Sequence, residues 1–272
     1  MWCLGEWSCW CGSDGGMGGR REIALFEGRT AGQTGGMEQL LLFDIDGTLL
    51  TAAGAGVAAL QRGFADAFRD ELGFEPGWPE VHLHGSTDGQ IARDLLAHAG
   101  LAVTEERLAR FFGCYPPHLE RELAVVEAPQ GRLLPGVPGL LEALREEGRR
   151  QMSLLTGNIQ TAAWMKLRRF GIDGYFTPGA FGDDHHDRNE LGPVAMAREA
   201  ARSGRRYAPE AVVVIGDTPR DIACARACGA RVLAVATGTY SREELAAHGP
   251  TWLFDDLSDA GAVIAALGET AG

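Results

Sequence analysis

In Leu40-Leu41-Leu42-Phe43-Asp44-Ile45-Asp46-Gly47-Thr48 an apolar run ends on two carboxylates spaced two positions apart. A run of this length suits a buried strand, and ligands of an open parallel sheet sit beyond the carboxyl ends of its strands. Asp44 and Asp46 would then project into a site. The same Asp-x-Asp-Gly is also the composition of a plain turn, so the other strand ends decide. Met152 to Leu155 runs into Thr156-Gly157-Asn158, a hydroxyl, a flexible backbone position and an amide suited to phosphate oxygens. Val212 to Ile215 runs into Gly216-Asp217-Thr218-Pro219-Arg220-Asp221 and adds two carboxylates to the same rim. Between them, Arg188 lies in an acidic loop just before a helix expected from about Pro193 to Ala201. A permanently charged, forked donor there would hold a phosphate among carboxylates, although in isolation the segment also reads as a surface arginine.

Outward from these motifs, short apolar runs (also Val232 to Val235 and Trp252 to Phe254) alternate with helical segments. That rhythm predicts an α/β fold with a parallel sheet and helices on both faces. The interval from Leu50 to Leu134 breaks it, with amphipathic stretches at Val57 to Leu72, Asp88 to Ala99 and Glu105 to Val126, and with loops expected around Pro76-Gly77-Trp78-Pro79 and Pro116-Pro117. It reads as a helical insertion. Residues 1–36 are glycine-rich, lack periodicity and lack the apolar core of a secretion signal, so a disordered extension is expected, with Met37 a natural start. Its Cys3, Cys9 and Cys11 lack the paired spacing of a zinc knuckle.

The 272 residues carry 37 acidic and 25 basic side chains, a net charge of −12. Such a surface repels nucleic acid and anionic membranes, and no run of 18 apolar residues is present to cross a bilayer. Of the basic residues only Lys166 is a lysine, so any lysine chemistry must use it. Cys224 and Cys228, at i and i+4 on one helix, suit buried free thiols better than a disulfide. Scattered core thiols without a secretion signal point to the cytoplasm.

Taken together, Asp44-Ile45-Asp46-Gly47-Thr48, Thr156-Gly157-Asn158, Arg188 and Gly216-Asp217-Thr218-Pro219-Arg220-Asp221 resemble, in order, the four motifs of the haloacid dehalogenase-like hydrolase superfamily, across residues 40 to 258. The resemblance implies a Rossmann-like catalytic core, residues 37–51 and 135–272, with a helical cap inserted at 52–134. It implies Asp44 as nucleophile and Asp46 as general acid and base. Mg2+ would be held by Asp44, the Asp46 carbonyl and Asp217, with Asp221 either a further ligand or an orienter. Thr156, Gly157, Asn158 and Arg188 would bind the phosphoryl oxygens.

Against the superfamily's other branches, Asp46 is the residue that the dehalogenases lack. Lys166 is not in the cap, where the phosphonate-cleaving branch keeps its lysine, and Gly56 stands where the sugar-phosphate mutases carry a hinge histidine. The remaining likeness is to the phosphoglycolate-phosphatase-like group, which predicts a phosphatase of small phosphate monoesters. A phosphomutase and a non-catalytic phosphate-binding scaffold stay open as alternatives. Within the cap, His84, Thr87 and Asp88 are the expected substrate-reading residues, although Thr87 or Asp88 also reads as a plain helix cap. The adjacent His185 and His186 read as a solvated loop rather than a metal pair.

Overall fold

The computed structural model describes residues 39–72 and 83–269; the expected N-terminal extension and the Pro76–Pro79 loop lie outside the described residues. In chain order the elements are β1 (Gln39–Phe43), β2 (Leu50–Ala52), α1 (Ala55–Leu72), α2 (Asp88–His98), α3 (Glu105–Ala124), β3 (Gly131–Leu133), α4 (Val137–Glu147), β4 (Arg150–Leu155) and α5 (Gln160–Arg169). They continue with β5 (Thr177–Ala180), α6 (Leu191–Ser203), β6 (Val212–Gly216), α7 (Pro219–Ala227), β7 (Arg231–Val235), α8 (Arg242–Ala247), β8 (Trp252–Phe254) and α9 (Ala260–Gly268).

Six strands form one parallel sheet in the order β5-β4-β1-β6-β7-β8. The alternating direction of strand side chains divides the core between the two faces. Leu41 and Phe43 of β1 join one apolar cluster, Leu40 and Leu42 the other. With both faces covered, β1 is buried throughout, which is why it reads as an unbroken apolar run rather than an alternating one. Phe43 is level with Leu154 of β4 and Ile215 of β6. The register therefore brings the residues that follow these three strands to one edge.

The described residues between β2 and β3 form α1, α2 and α3 and their connections. Phe64 and Phe68 of α1 meet Phe111 of α3 in an aromatic cluster, with ring centres 4.9 Å (Phe64 to Phe68) and 5.8 Å (Phe64 to Phe111) apart. β2 and β3 pair antiparallel, Leu50 with Leu133 through Ala52 with Gly131, and clasp the entry and exit of this segment. Pro116 and Pro117 are not in a loop, as the sequence predicts, but inside α3. The reason is tertiary: Leu108, Phe111, Tyr115, Leu119 and Leu123 form a continuous buried stripe through the proline pair. Packing of that stripe overrides a penalty of about 3 kcal/mol per interior proline. Among the described residues no helix is long and apolar enough to cross a membrane.

Candidate active site

At the carboxyl edge of β1, Asp44 is buried while Asp46, one turn further out, keeps a side chain 45% exposed. Gly47 follows with φ 85°, a left-handed conformation that glycine tolerates and other residues resist. That turn gives room to Asp217, which arrives from the end of β6. A methyl group on Gly47, or on Gly238 from the loop after β7, would collide with the Asp217 carboxylate.

Asp44, Asp217 and Asp221 place one carboxylate oxygen each within 4.8 Å of one another, all three residues buried. Arg188, itself buried, answers two of them: its Nη2 donates to Asp44 Oδ1 at 2.9 Å and to Asp221 Oδ1 at 2.5 Å. The other Asp221 oxygen accepts from the Thr218 amide (3.0 Å) and hydroxyl (2.7 Å), closing the capping box that starts α7. Asp217 has the Thr48 hydroxyl, donating at 2.9 Å. Burial pushes the Asp44 carboxyl up to about 6, opposed by Arg188 and reinforced by Asp221 and Asp46. Burial, then the neighbouring carboxylates of Asp44 and Asp221, raises Asp217 further. Three buried acids against one arginine leave a deficit of positive charge. A hard, oxygen-ligated divalent cation fits that donor set.

On the other side of the turn lies a second polar cluster. Asn158 Nδ2 donates to Asp46 Oδ2 (2.8 Å) and Thr156 Oγ1 (2.9 Å), while Lys166 Nζ donates to Asp46 Oδ2 and Asn158 Oδ1, both at 2.6 Å. Lys166, expected only to lie outside the cap, reaches into the site from α5 and joins Arg188 as a second cation beside the acid pair. The signal was its place on a helix face otherwise made of Ala162, Ala163 and Leu167. A charge on an apolar stripe requires a specific partner.

Of the expected cap residues, His84 and Asp88, but not Thr87, line a cavity of about 490 Å³ that Asp44, Asp46, Asn158, Lys166, Arg188 and Asp217 also line. Leu50, Val57, Leu60, Leu83, Ile91 and Tyr115 also line it. His84 Nδ1 pairs with Thr239 Oγ1 at 3.1 Å. Thr87 is the N-cap of α2, accepting from the Gln90 amide, and it donates to the His186 carbonyl at 2.6 Å. Asp88 is buried, its amide donating to the Gly157 carbonyl and its carboxylate accepting from the Ile159 amide at 2.9 Å. Burial pushes Asp88 up to about 7. His185 and His186 stack on each other in their loop, with ring centres 4.7 Å apart. Cys224 and Cys228 are free, as expected.

Residues 38–229 match the haloacid dehalogenase-like hydrolase family. A phosphoglycolate phosphatase of Synechococcus elongatus is 28% identical over 221 residues, covering 81% of this chain and 94% of that protein. Among solved structures, CbbY from Rhodobacter sphaeroides in complex with phosphate superposes with a TM-score of 0.62 at 21% identity, covering 83% of this chain and 97% of that one. A hydrolase from Pseudomonas syringae gives 0.61 at 24% identity, with coverage of 84% and 98%.

Proposed function

The chain belongs to the haloacid dehalogenase-like hydrolases, and from that premise we propose that it hydrolyses a small phosphate monoester through an aspartyl-phosphate intermediate on Asp44. One observation carries the reading: Asp44 and Asp46 stand at the edge shared by β1, β4 and β6, with Arg188 bonded to Asp44 and Lys166 to Asp46. A scaffold that only binds phosphate needs no such acid pair. The core spans 37–51 and 135–272, and residues 52–134 serve as the cap that reads the alcohol. The free thiols of Cys114, Cys224 and Cys228 support a reducing, cytoplasmic setting.

Asp44 attacks phosphorus, and the forming charge on the phosphoryl oxygens is met by Arg188, the Thr156 hydroxyl and the Gly157 and Asn158 amides. Asp46 gives its proton to the departing alcohol, then takes one from the water that cleaves the acyl phosphate. Asp44, Asp217 and the Asp46 carbonyl would hold Mg2+, which would supply the charge neutralisation that lets a carboxylate meet a phosphate dianion. Asp221 is better suited to orient than to ligate, since both of its oxygens are already engaged by Arg188 and Thr218.

A panel of phosphate monoesters, 2-phosphoglycolate included, assayed with Mg2+ and with EDTA tests the proposal. Release of inorganic phosphate with Mg2+ alone, and its loss in Asp44→Asn, is the expected result. Mg2+-dependent turnover surviving intact in Asp44→Asn would overturn it.

A further inference from the structure

Lys166 is the only lysine in the chain, and its side chain is 4% exposed. An ammonium group buried on an apolar helix face is unfavourable unless it is paired. Both partners named above belong to the site. Lys166 Nζ can only donate, so Asn158 must present Oδ1 to it and turn Nδ2 toward Asp46 and Thr156. The orientation of Asn158 is therefore fixed by Lys166. Lys166 and Asn158 together send two donors to the same atom, Asp46 Oδ2, at 2.6 and 2.8 Å. The ammonium also sits close under the start of α1: a methyl group on Gly56 would lie 3.2 Å from Nζ and 3.9 Å from the Tyr115 hydroxyl. Room for the lysine comes from a residue without a side chain.

We propose that Lys166 is a positioning residue that clamps Asp46 by Oδ2, directly and through Asn158, so that Oδ1 faces the leaving alcohol as the proton-transferring oxygen. This rests on the reading of Asp46 as general acid and base. In the first half-reaction the Asp44 oxygen–phosphorus bond forms as the ester oxygen–phosphorus bond breaks, and the proton on Oδ1 passes to the alkoxide. In the second, the water oxygen bonds to phosphorus, its proton passes to Oδ1, and the Asp44 carboxylate leaves. Lys166 is unchanged throughout. An unclamped carboxylate that is nearly half exposed would swing among rotamers. Displacement of a reacting group by about 1 Å costs on the order of 100-fold in rate.

The test compares two substrates that differ in their need for an acid. p-Nitrophenol leaves readily without a proton; glycerol leaves poorly without one. Because kcat/KM reports steps up to the first irreversible one, the ratio of kcat/KM for glycerol 1-phosphate to that for p-nitrophenyl phosphate isolates the acid half-reaction. The ratio is also independent of how much of a preparation is folded. Lys166→Met should lower it by about 10- to 100-fold, and should lower it no further in an Asp46→Asn background. An equal loss on both substrates, a rise in KM alone on both, or a further fall of the ratio in the Asp46→Asn background would overturn the proposal and assign Lys166 to direct substrate contact or to packing. A wild-type protein inactive toward both esters would instead remove the phosphatase reading on which the proposal stands.

Discussion

Two cations flank the Asp44–Asp46 turn, and they are held in opposite ways. Arg188 is 5% exposed and bonded to Asp44 and Asp221, whose side chains are 8% and 0% exposed, so the floor of the site is a closed lattice of buried charges. Lys166 is as deeply buried, yet its carboxylate partner opens onto the cavity. The contrast suits the proposed chemistry, in which the floor would hold still while phosphorus changes partners and Asp46 would pass a proton to a group that arrives and leaves. It also separates the consequences of mutation. Removing Arg188 from the floor strands buried carboxylates; removing Lys166 from the rim leaves a carboxylate that water can reach.

The largest effect is therefore expected at Arg188. Arg188→Met leaves Asp44 and Asp221 buried without their cation and should lower unfolding free energy by about 3–5 kcal/mol, with turnover reduced by about 1,000-fold or more. Urea denaturation beside a phosphate-release assay measures both. A variant as stable as wild type would erase the distinction between floor and rim, because it would show that the floor carries no locked charge.

Asp88 tests the boundary between the two regions, since its carboxylate belongs to the inserted segment and accepts from Ile159 in the loop after β4. Burial dominates its rise from 3.8 to about 7, with Ile159 and Lys166 pulling it down and Asp46 and Asp183 pushing it up. Between those two values the folded form keeps a proton that the unfolded chain has released. Its contribution to stability thus falls as pH rises from about 4 to about 7 and is flat above that. Asp88→Asn retains an acceptor for the Ile159 amide and has no such proton to lose. Thermal midpoints across that interval should show the variant gaining on wild type as pH rises, within a ceiling of about 4 kcal/mol. A constant difference would mean that Asp88 is solvated and that the inserted segment does not seal against this loop.

What was legible in the sequence follows from where each signal lies. The acids at 44, 46 and 217 stand at the ends of apolar runs and Asp221 one short turn further on, so strand position and chemistry are read from the same few residues. Lys166 was legible only as a charge on an apolar helix face that needs a partner; its carboxylate partner lies 120 positions away at Asp46, and only tertiary packing brings the two together. β5, Thr177-Pro178-Gly179-Ala180, has no apolar run to announce it; it is an edge strand whose pairing with β4 shifts register between Ser153 and Leu155. β2 and β3 are three residues each and are defined only by each other across the whole insertion. Pro116 and Pro117 read locally as a loop, and the buried stripe of α3 overrides that propensity. The contact between His84 and Thr239 joins positions 155 apart and leaves no local trace.

Gly238 offers the smallest and most selective perturbation of the floor. Its backbone does not occupy the left-handed region that Gly47 does, so alanine there adds no conformational strain and acts only through its methyl group. That methyl group meets the Asp217 carboxylate. Overpacking of this kind costs about 1–3 kcal/mol when nothing yields, but here the neighbour is a side chain bonded to the Thr48 hydroxyl, which can rotate away. Gly238→Ala should therefore lose little stability while Asp217 is displaced and the charges of Asp44, Asp221 and Arg188 stay in place. The Mg2+ concentration for half-maximal activity should rise severalfold, with turnover at saturating Mg2+ reduced by less than about tenfold. An unchanged Mg2+ requirement would show that Asp217 does not ligate the ion, and would leave Asp221 to take that place at the expense of its bond to Arg188. The floor would then have to open to bind metal, and the rigid half of the comparison would become the mobile one.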